Sequence, residues 1–318
     1  MSQLPPYAST GERVWYYAFR VICGLIFLFL IAPILIILPL SFNVQPYFSF
    51  TNEMLSFDPT GYSTRWYWDI LKNGMADPEA TEGWWADMWN NAQWVRAVKN
   101  SFFIGIFATL LSTALGTLAA IGLSRSEMPY RKVVMSILIS PMIIPLVITG
   151  ASMFYFFSLD MNPGNWFAEE EQTDKWQLAF TYGGLILAHA ALGTPFVIIT
   201  VTATLSSFDN SLVRAAASMG SGPVNTFFKV QMPLILPGVI SGGLFAFITS
   251  FDEVVVVLQM ATAEQRTIPR QMFSGIREQI SPTILAVATI LVLISIALLT
   301  TVEILRRRSE RMRGMTPQ

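Results

Sequence analysis

Apolar and polar positions alternate along this chain in blocks of about twenty residues rather than with the short period of a soluble amphipathic helix. Six apolar stretches meet the length of a membrane crossing: about 21–40, 101–123, 133–157, 180–205, 235–258 and 282–305. Twenty helical residues at about 1.5 Å rise cover the roughly 30 Å hydrocarbon core. Lipid offers the backbone no hydrogen bonds, so stretches of this kind cross as helices. The pattern predicts an all-α polytopic membrane protein with six transmembrane helices in one domain, residues 21–305. A polar tail (1–20) precedes that domain and a basic tail (306–318) follows it. The first stretch does not read as a cleavable signal peptide. It is too long for an h-region, contains Pro33 and Pro39, and has no small-residue cleavage site after it.

Composition strengthens this reading. Hydrophobic residues make up 53% of the chain and charged residues 13%, against about 25% charged in a soluble domain. The net charge of −1 is uninformative, but its distribution sets an orientation. With the N-terminus inside, the cytoplasmic segments 1–20, 124–132, 206–234 and 306–318 hold 12 Lys/Arg and 4 acids. The outer segments 41–100, 158–179 and 259–281 hold 8 Lys/Arg and 14 acids. Basic residues accumulate on the cytoplasmic side, which predicts N-in and C-in. The long outer loop, 41–100, carries Trp66, Trp68, Trp84, Trp85, Trp89 and Trp94. These suit either an aromatic belt at the headgroups or a docking surface for an extracytoplasmic partner. The acidic run Glu169, Glu170, Glu171 and Asp174 reads as a solvated face.

Several chemistries are absent. Cys23 is the lone cysteine and His189 the lone histidine, so no disulfide, Cys cluster or His-based metal site is available within the chain. No Gly-Lys pair occurs, which removes a Walker-type phosphate loop. No metal or nucleic-acid signature is present. The chain reads as a transporter or channel component without catalysis of its own.

Inside the spans a few residues stand out. Pro141 and Pro145 interrupt the third, and Thr194-Pro195 the fourth; each proline is either a packing kink or a gating hinge. A helical fourth span is expected to break or kink at Pro195. His189 suits a buried hydrogen-bonding role better than ligation. Ionisable residues in a membrane are functional candidates, and Asp252, Glu253 and Glu303 qualify. Glu303 can pair with Arg306 or Arg307 one turn on. Gly238, Gly242, Ala246, Thr249 and Glu253 recur at helical spacing, a small polar stripe ending in a carboxylate. That stripe suits close helix packing or an anionic step for a polycation, with Glu253 on the inner face and Asp252 about 100° away. On this reading Glu253→Gln lowers uptake more than Asp252→Asn.

One polar stretch, "SLVRAAASMGSGPVNTFFKVQMPLILPG" from Ser211 to Gly238, lies between two spans on the cytoplasmic side. Asp209 and Ser211 are N-cap types. Leu212, Ala215, Ala216 and Met219 fall on one helical face. Gly220 permits a left-handed C-cap. A second short helix, "VNTFFKVQM", is expected to end at Pro233. A helix this short needs a partner surface to be stable.

This stretch resembles the cytoplasmic coupling loop of bacterial ABC importer permeases, whose pattern is Glu-Ala-Ala, three residues, Gly, then an apolar-Leu-Pro end. Ala215, Ala216 and Gly220 match, while Arg214 stands at the family's Glu. "AHAALGTPFVIITVTATLSSFD", "SFDEVVVVLQMATAEQRTIPRQMFSGIREQISPTILAVATILVL" and "NSFFIGIFATLLSTALGTLAAIGLSR" are similar to the spermidine/putrescine branch, in particular its PotC-type inner-membrane subunits. The resemblance implies a type I, MetI-like permease fold in a bacterial inner membrane. It implies an ATPase-coupling element formed by Ser211, Leu212, Arg214, Ala215, Ala216, Met219, Gly220 and Gly222. The small polar stripe and its ionisable neighbours, not the resemblance, suggest a substrate path through Glu253, Asp252 and Thr249. The implied partners are a dimeric ATP-binding subunit that carries ATP and Mg, a second homologous permease and a periplasmic solute-binding protein, with no cofactor on this chain. The expected cargo is a polyamine. The alternatives are another small polar solute (an opine, a γ-amino acid, an iron chelate) or an ion-gradient transporter, for which the inverted repeats are missing.

Overall fold

The computed structural model describes residues 9–80, 82–125, 127–161, 176–209, 211–278 and 281–312. The acidic run 169–174 lies outside the described residues, as do the side chains of Glu303, Arg306 and Arg307. The regular structure of the described residues is helical, with one isolated antiparallel bridge, Asn43 to Tyr62, and no strand. Its contacts divide it into two units, 1–73 with 274–318, and 74–273.

The first unit contains α1 (Thr10–Leu40), α2 (Asn52–Leu55), α3 (Arg65–Lys72) and, from the far end of the chain, α14 (Thr283–Met312). Helix α1 opens with a capping box: Ser9 accepts from the Glu12 amide while the Glu12 carboxylate accepts from the Ser9 amide. Its apolar side chains are exposed on every side, and only Leu40 is buried. A helix apolar all round belongs in lipid or against other spans. Beyond α1 the chain folds around Asn43. Its amide nitrogen donates to the carbonyls of Tyr47 (3.0 Å) and Ser49 (2.7 Å), and its side-chain oxygen accepts from Gln45 N at 2.8 Å. The Trp66 indole donates to the Asn43 carbonyl at 2.6 Å, and Thr283 on α14 donates to the Asp69 carboxylate, also at 2.6 Å.

The second unit contains α4 (Trp84–Asn91), α5 (Gln93–Ser124), α6 (Arg131–Ile143), α7 (Leu146–Phe157), α8 (Tyr182–Ser206), α9 (Ser211–Ser218), α10 (Pro223–Thr226), α11 (Met232–Asp252) and α12 (Val255–Met260). Helix α13 (Ile268–Glu278) begins in this unit. Its core is the packing of α5, α8 and α11. Ala120, Val197, Val201, Ile235 and Ala246 form one buried cluster, and Ile104, Leu185, Leu192, Val256 and Met260 another. Small residues let the backbones approach. A Cβ on Gly116 would lie 2.6 Å from Val197 Cβ and 3.1 Å from the Thr194 carbonyl. Ser112 bridges α5 to α8 by donating to the carbonyls of Ala108 (2.7 Å) and Ala190 (3.0 Å).

Four local expectations change. The third apolar stretch is two helices, α6 and α7, bent by 105°. The break falls at Ile144, which is extended (φ −73°, ψ 136°) because a residue before proline avoids the helical region. The fourth stretch, in contrast, is unbroken: α8 runs through a buried Pro195. One proline removes one donor, and close packing on α5 and α11 holds the helix across the gap. The second short cytoplasmic helix does not end at Pro233. A π-helical turn, Phe227–Gln231, carries α10 directly into α11, and the wider turn accommodates the donor that Pro233 lacks. The fifth stretch ends early: α11 stops at Asp252, Glu253 is extended (φ −73°, ψ 127°), and α12 starts afresh at Val255.

Among the described residues, four helical segments are long and apolar enough to cross a membrane: α1, α5, α8 and the continuous run Pro223–Asp252. The bent pair α6–α7 makes five if it counts as one crossing, and the described apolar part of α14, Thr283–Ala297, is shorter.

Candidate functional site

The sequence singles out the loop between α8 and α11, and its local chemistry explains its shape. The Asp209 carboxylate accepts from the Ser211 amide (2.8 Å) and the Ser211 hydroxyl (2.7 Å) as α9 begins. The Ser211 hydroxyl first, then its amide, hold the Asp209 pKa below the ordinary carboxylate value. At the other end Gly220 takes φ +80°. Ser221 N donates to Ala216 O (3.0 Å) and Gly220 N to Ala217 O (2.9 Å). This 6→1 and 5→2 pair is a Schellman closure, which requires a left-handed residue at the Gly220 position. Gly222 is different: it is extended at φ −68°, ψ 161°, and precedes Pro223 at the start of α10. The turn therefore depends on Gly220 and not on Gly222.

The face this element presents is uncovered. Leu212 is 43% exposed and Met219 87% exposed, seven residues apart on one side of α9; Arg214 and Ala215 are also exposed. Ser211 and Ala216 are half-buried. Val224 and Phe228 continue the exposed apolar surface beyond the turn. An eight-residue helix that half-buries Val213 and Ala216 but leaves Leu212 exposed gains little from its own chain and is built for a second surface.

Within the bundle the intended stripe separates into two parts. Gly238, Gly242 and Ala246 are buried where α11 meets α8: a Cβ on Gly242 would press on Thr200 Oγ1 and lie 2.8 Å from Val197 Cα. They form a packing face. Glu253 does not continue it, because the helix has ended. Glu253 is buried at 5% exposure, and its two carboxylate oxygens accept from Val255 N and Val256 N, each at 3.0 Å. It caps α12 and fixes the break between the two helices. Asp252, on the last turn of α11, is exposed, and Thr249 is half-buried. His189 is buried, with Nδ1 2.8 Å from the Ser250 hydroxyl, which links α8 to α11.

At the end of the bundle away from α9, buried amides that sequence reasoning missed organise the segment after α12. Asn100 donates to the carbonyls of Glu264 (2.7 Å) and Arg266 (3.0 Å), and accepts from the Tyr182 hydroxyl (3.0 Å). Ser101 accepts from Ile268 N at 2.8 Å. Gln265 donates to Phe180 O (2.9 Å), and Gln271 to Gln93 (3.1 Å). An asparagine just before an apolar span was the one available hint. The six tryptophans also separate: Trp66 and Trp94 are buried, Trp84 is half-buried, and Trp68, Trp85 and Trp89 are exposed. No single role covers them.

Residues 112–312 match the family model described as "Binding-protein-dependent transport system inner membrane component". The chain is similar to the spermidine/putrescine transport system permease protein PotC of Haemophilus influenzae, 29% identical over 227 residues, covering 71% of this chain and 82% of the relative. It is also similar to the putrescine transport system permease protein PotI of Escherichia coli K12, 29% identical over 266 residues, covering 83% and 82%. Among solved structures, a bacterial ABC transporter that imports the acidic polysaccharide alginate shares the fold, with a TM-score of 0.65 at 16% identity over 94% of this chain and 99% of that one. The alginate ABC transporter in complex with a pentasaccharide-bound periplasmic protein aligns with a TM-score of 0.51 at 16% identity, over 96% and 100%.

Proposed function

We propose, from the premise that this chain belongs to the binding-protein-dependent transport system inner membrane components, that it is a permease subunit of an ATP-driven importer for polyamines. The uncovered α9 element carries the reading. Leu212 and Met219 need an occupant, and no nucleotide loop exists in the chain to supply energy from within. The occupant is an ATP-hydrolysing subunit pair, which holds ATP and Mg, while this chain binds no cofactor. Ser211, Leu212, Ala215, Ala216 and Met219 provide the contact. Arg214 faces an acid on that partner. Six spans place both termini in the cytoplasm of a bacterial inner membrane. A second homologous permease completes the pathway, and a periplasmic solute-binding protein delivers the cargo. The polyamine assignment is supported by the kinship with permeases named for spermidine and putrescine.

The α6–α7 break at Ile144–Pro145 serves as the gating hinge, with Pro141 inside α6 and Pro195 inside α8 as softer points in continuous helices. Asp252 and Thr249 give the cationic cargo its contact, and Glu253 holds the bend that presents them. An exposed carboxylate lowers the cost of passing an ammonium group and must release it again. Asp252→Asn is therefore expected to raise the KM for putrescine uptake several-fold without changing the amount of inserted protein. Glu253→Gln, which sets an amide NH₂ against one of two backbone donors, is expected to cost about 1–3 kcal/mol of stability and to lower the thermal midpoint. This ordering of roles differs from the one the stripe alone suggests. An unchanged KM in Asp252→Asn would remove Asp252 from the path.

The assignment is tested by ATP-driven uptake of labelled putrescine into proteoliposomes containing the chain, its partner permease and the ATP-binding subunits. Putrescine and spermidine should compete, while opines, γ-amino acids and iron chelates should not. Uptake by this chain with no ATP-hydrolysing subunit present would favour an ion-gradient carrier and end the proposal.

A further inference from the structure

The pinned segment after α12 encloses a small cavity of about 180 Å³ beside the start of α5, lined by Gln93, Arg96, Ala263, Glu264, Arg266 and Gln271. Its charge is unbalanced. The Arg266 Nε is buried with no acceptor among the described residues, and its Nη1 reaches only Gln271 Oε1, at 3.4 Å. Arg96 spends Nε and Nη2 on the Asn90 carbonyl, at 3.2 and 2.6 Å. Arg270 stands close behind, donating to the carbonyls of Ala261 (2.8 Å) and Thr262 (2.9 Å). Burial first, and the Arg266 charge second, hold the Arg270 pKa below its usual value. Glu264 is exposed and forms no ion pair with Arg96 or Arg266.

A guanidinium taken out of water without a carboxylate or a full set of acceptors is costly. The backbone here cannot shift to bring acceptors to the Arg266 Nε, because Asn100, Ser101, Gln265 and Gln271 tie this segment to α5 and to Phe180, and the exposed Glu264 carboxylate at the cavity's edge leaves that Nε unpaired. The cavity therefore holds a preorganised, half-buried fork with a missing partner. Its chemistry selects a carboxylate, which an arginine fork binds with two parallel bonds. It repels an ammonium, so it is no station for a polyamine. Its size admits the end of one side chain.

We propose that this cavity receives one acidic side chain of the periplasmic solute-binding protein, with Arg266 as the anchor and Arg96 as the rim charge. The inference rests on the reading under Proposed function, which places this end of the bundle outside the cell. It specifies where and by what chemistry the delivering protein is held.

The test uses the whole transporter in nanodiscs, titrated with its periplasmic solute-binding protein loaded with putrescine, with ATP hydrolysis as the readout. Arg266→Gln is expected to raise the half-stimulating concentration of binding protein about tenfold or more. Hydrolysis without binding protein, and the maximal rate at saturation, should stay within about twofold, since the fork acts on encounter and holding. Ala263→Glu, which keeps every arginine but fills the fork with a tethered carboxylate, should give a shift of the same sense. Arg266→Lys should fall between. Raising salt should narrow the gap between wild type and Arg266→Gln. If Arg266→Gln does not yield a monodisperse transporter, Ala263→Glu and Arg266→Lys decide the question. An unshifted half-stimulating concentration overturns the proposal. So does a response that follows the phosphatidylglycerol content of the nanodisc and ignores the variants, which would assign the fork to a lipid phosphate. A wild-type transporter that moves putrescine while its variants are unshifted sinks the cavity alone. A wild-type transporter indifferent to the binding protein sinks the functional reading itself.

Discussion

A Gly220→Val permease is expected to insert and fold normally yet to lose at least about tenfold in ATP-driven uptake. The argument is local. Gly220 sits at φ +80°, where a β-branched residue meets its own backbone at a cost of about 1–3 kcal/mol. No neighbour contributes to that cost, since a Cβ there would meet nothing within 4 Å. The bundle therefore has no reason to unfold. What changes is the Schellman closure, Ser221 N to Ala216 O and Gly220 N to Ala217 O, and with it the direction in which α9 presents Leu212 and Met219. Relieving the strain means opening the turn, and an opened turn transmits no fixed displacement from the ATP-hydrolysing partner. Gly222→Ala is the matched control. Its φ of −68° suits any residue and its surroundings are equally empty, so uptake should stay near wild type. The two variants are compared by uptake and by binding-protein-stimulated ATP hydrolysis in proteoliposomes. Normal coupled transport in Gly220→Val would show that the turn does not govern coupling.

Gly242→Leu is expected to fail earlier, at folding. Its Cβ would press on Thr200 Oγ1 and come within 2.8 Å of Val197 Cα. The second contact is backbone, so no rotamer change relieves it. α11 would have to move off α8 along the face that also buries Gly238 and Ala246. Overpacking of this kind costs about 1–3 kcal/mol, occasionally more, and here it is spread along the main helix pair of the unit. The expected readout is a broadened size-exclusion profile in detergent and a thermal midpoint lowered by several degrees. Gly122→Leu on α5, where a Cβ meets nothing within 4 Å, should leave both unchanged. An unaltered profile and midpoint for Gly242→Leu would mean that α8 and α11 do not pack this closely.

Much of this protein was legible without coordinates because its strongest signals are local. Twenty-residue apolar runs can only be helices in lipid, whatever they pack against. Gly220 after an alanine-rich turn forces a left-handed cap, and Pro145 pushes Ile144 out of the helical region; each effect is contained in two or three adjacent residues. The uncovered side of α9 was readable for the same reason, since Leu212 and Met219 repeat at helical spacing and the helix is too short to stand alone.

Tertiary structure decided whatever depended on a partner distant in the chain or on a helix end. Pro195 carries the same local signal as Pro145 but sits inside an unbroken α8, because flanking helices hold what the missing hydrogen bond releases. Glu253 looked like the end of a helical stripe and is instead the cap of the next helix, a role set by two backbone donors that exist only once α11 has stopped. Asn100 reaches 164 and 166 residues along the chain to the Glu264 and Arg266 carbonyls, and no periodicity encodes such a pairing. A backbone's own torsional limits are written beside it in the sequence. The partner that satisfies a buried amide, carboxylate or guanidinium is chosen only when distant segments meet.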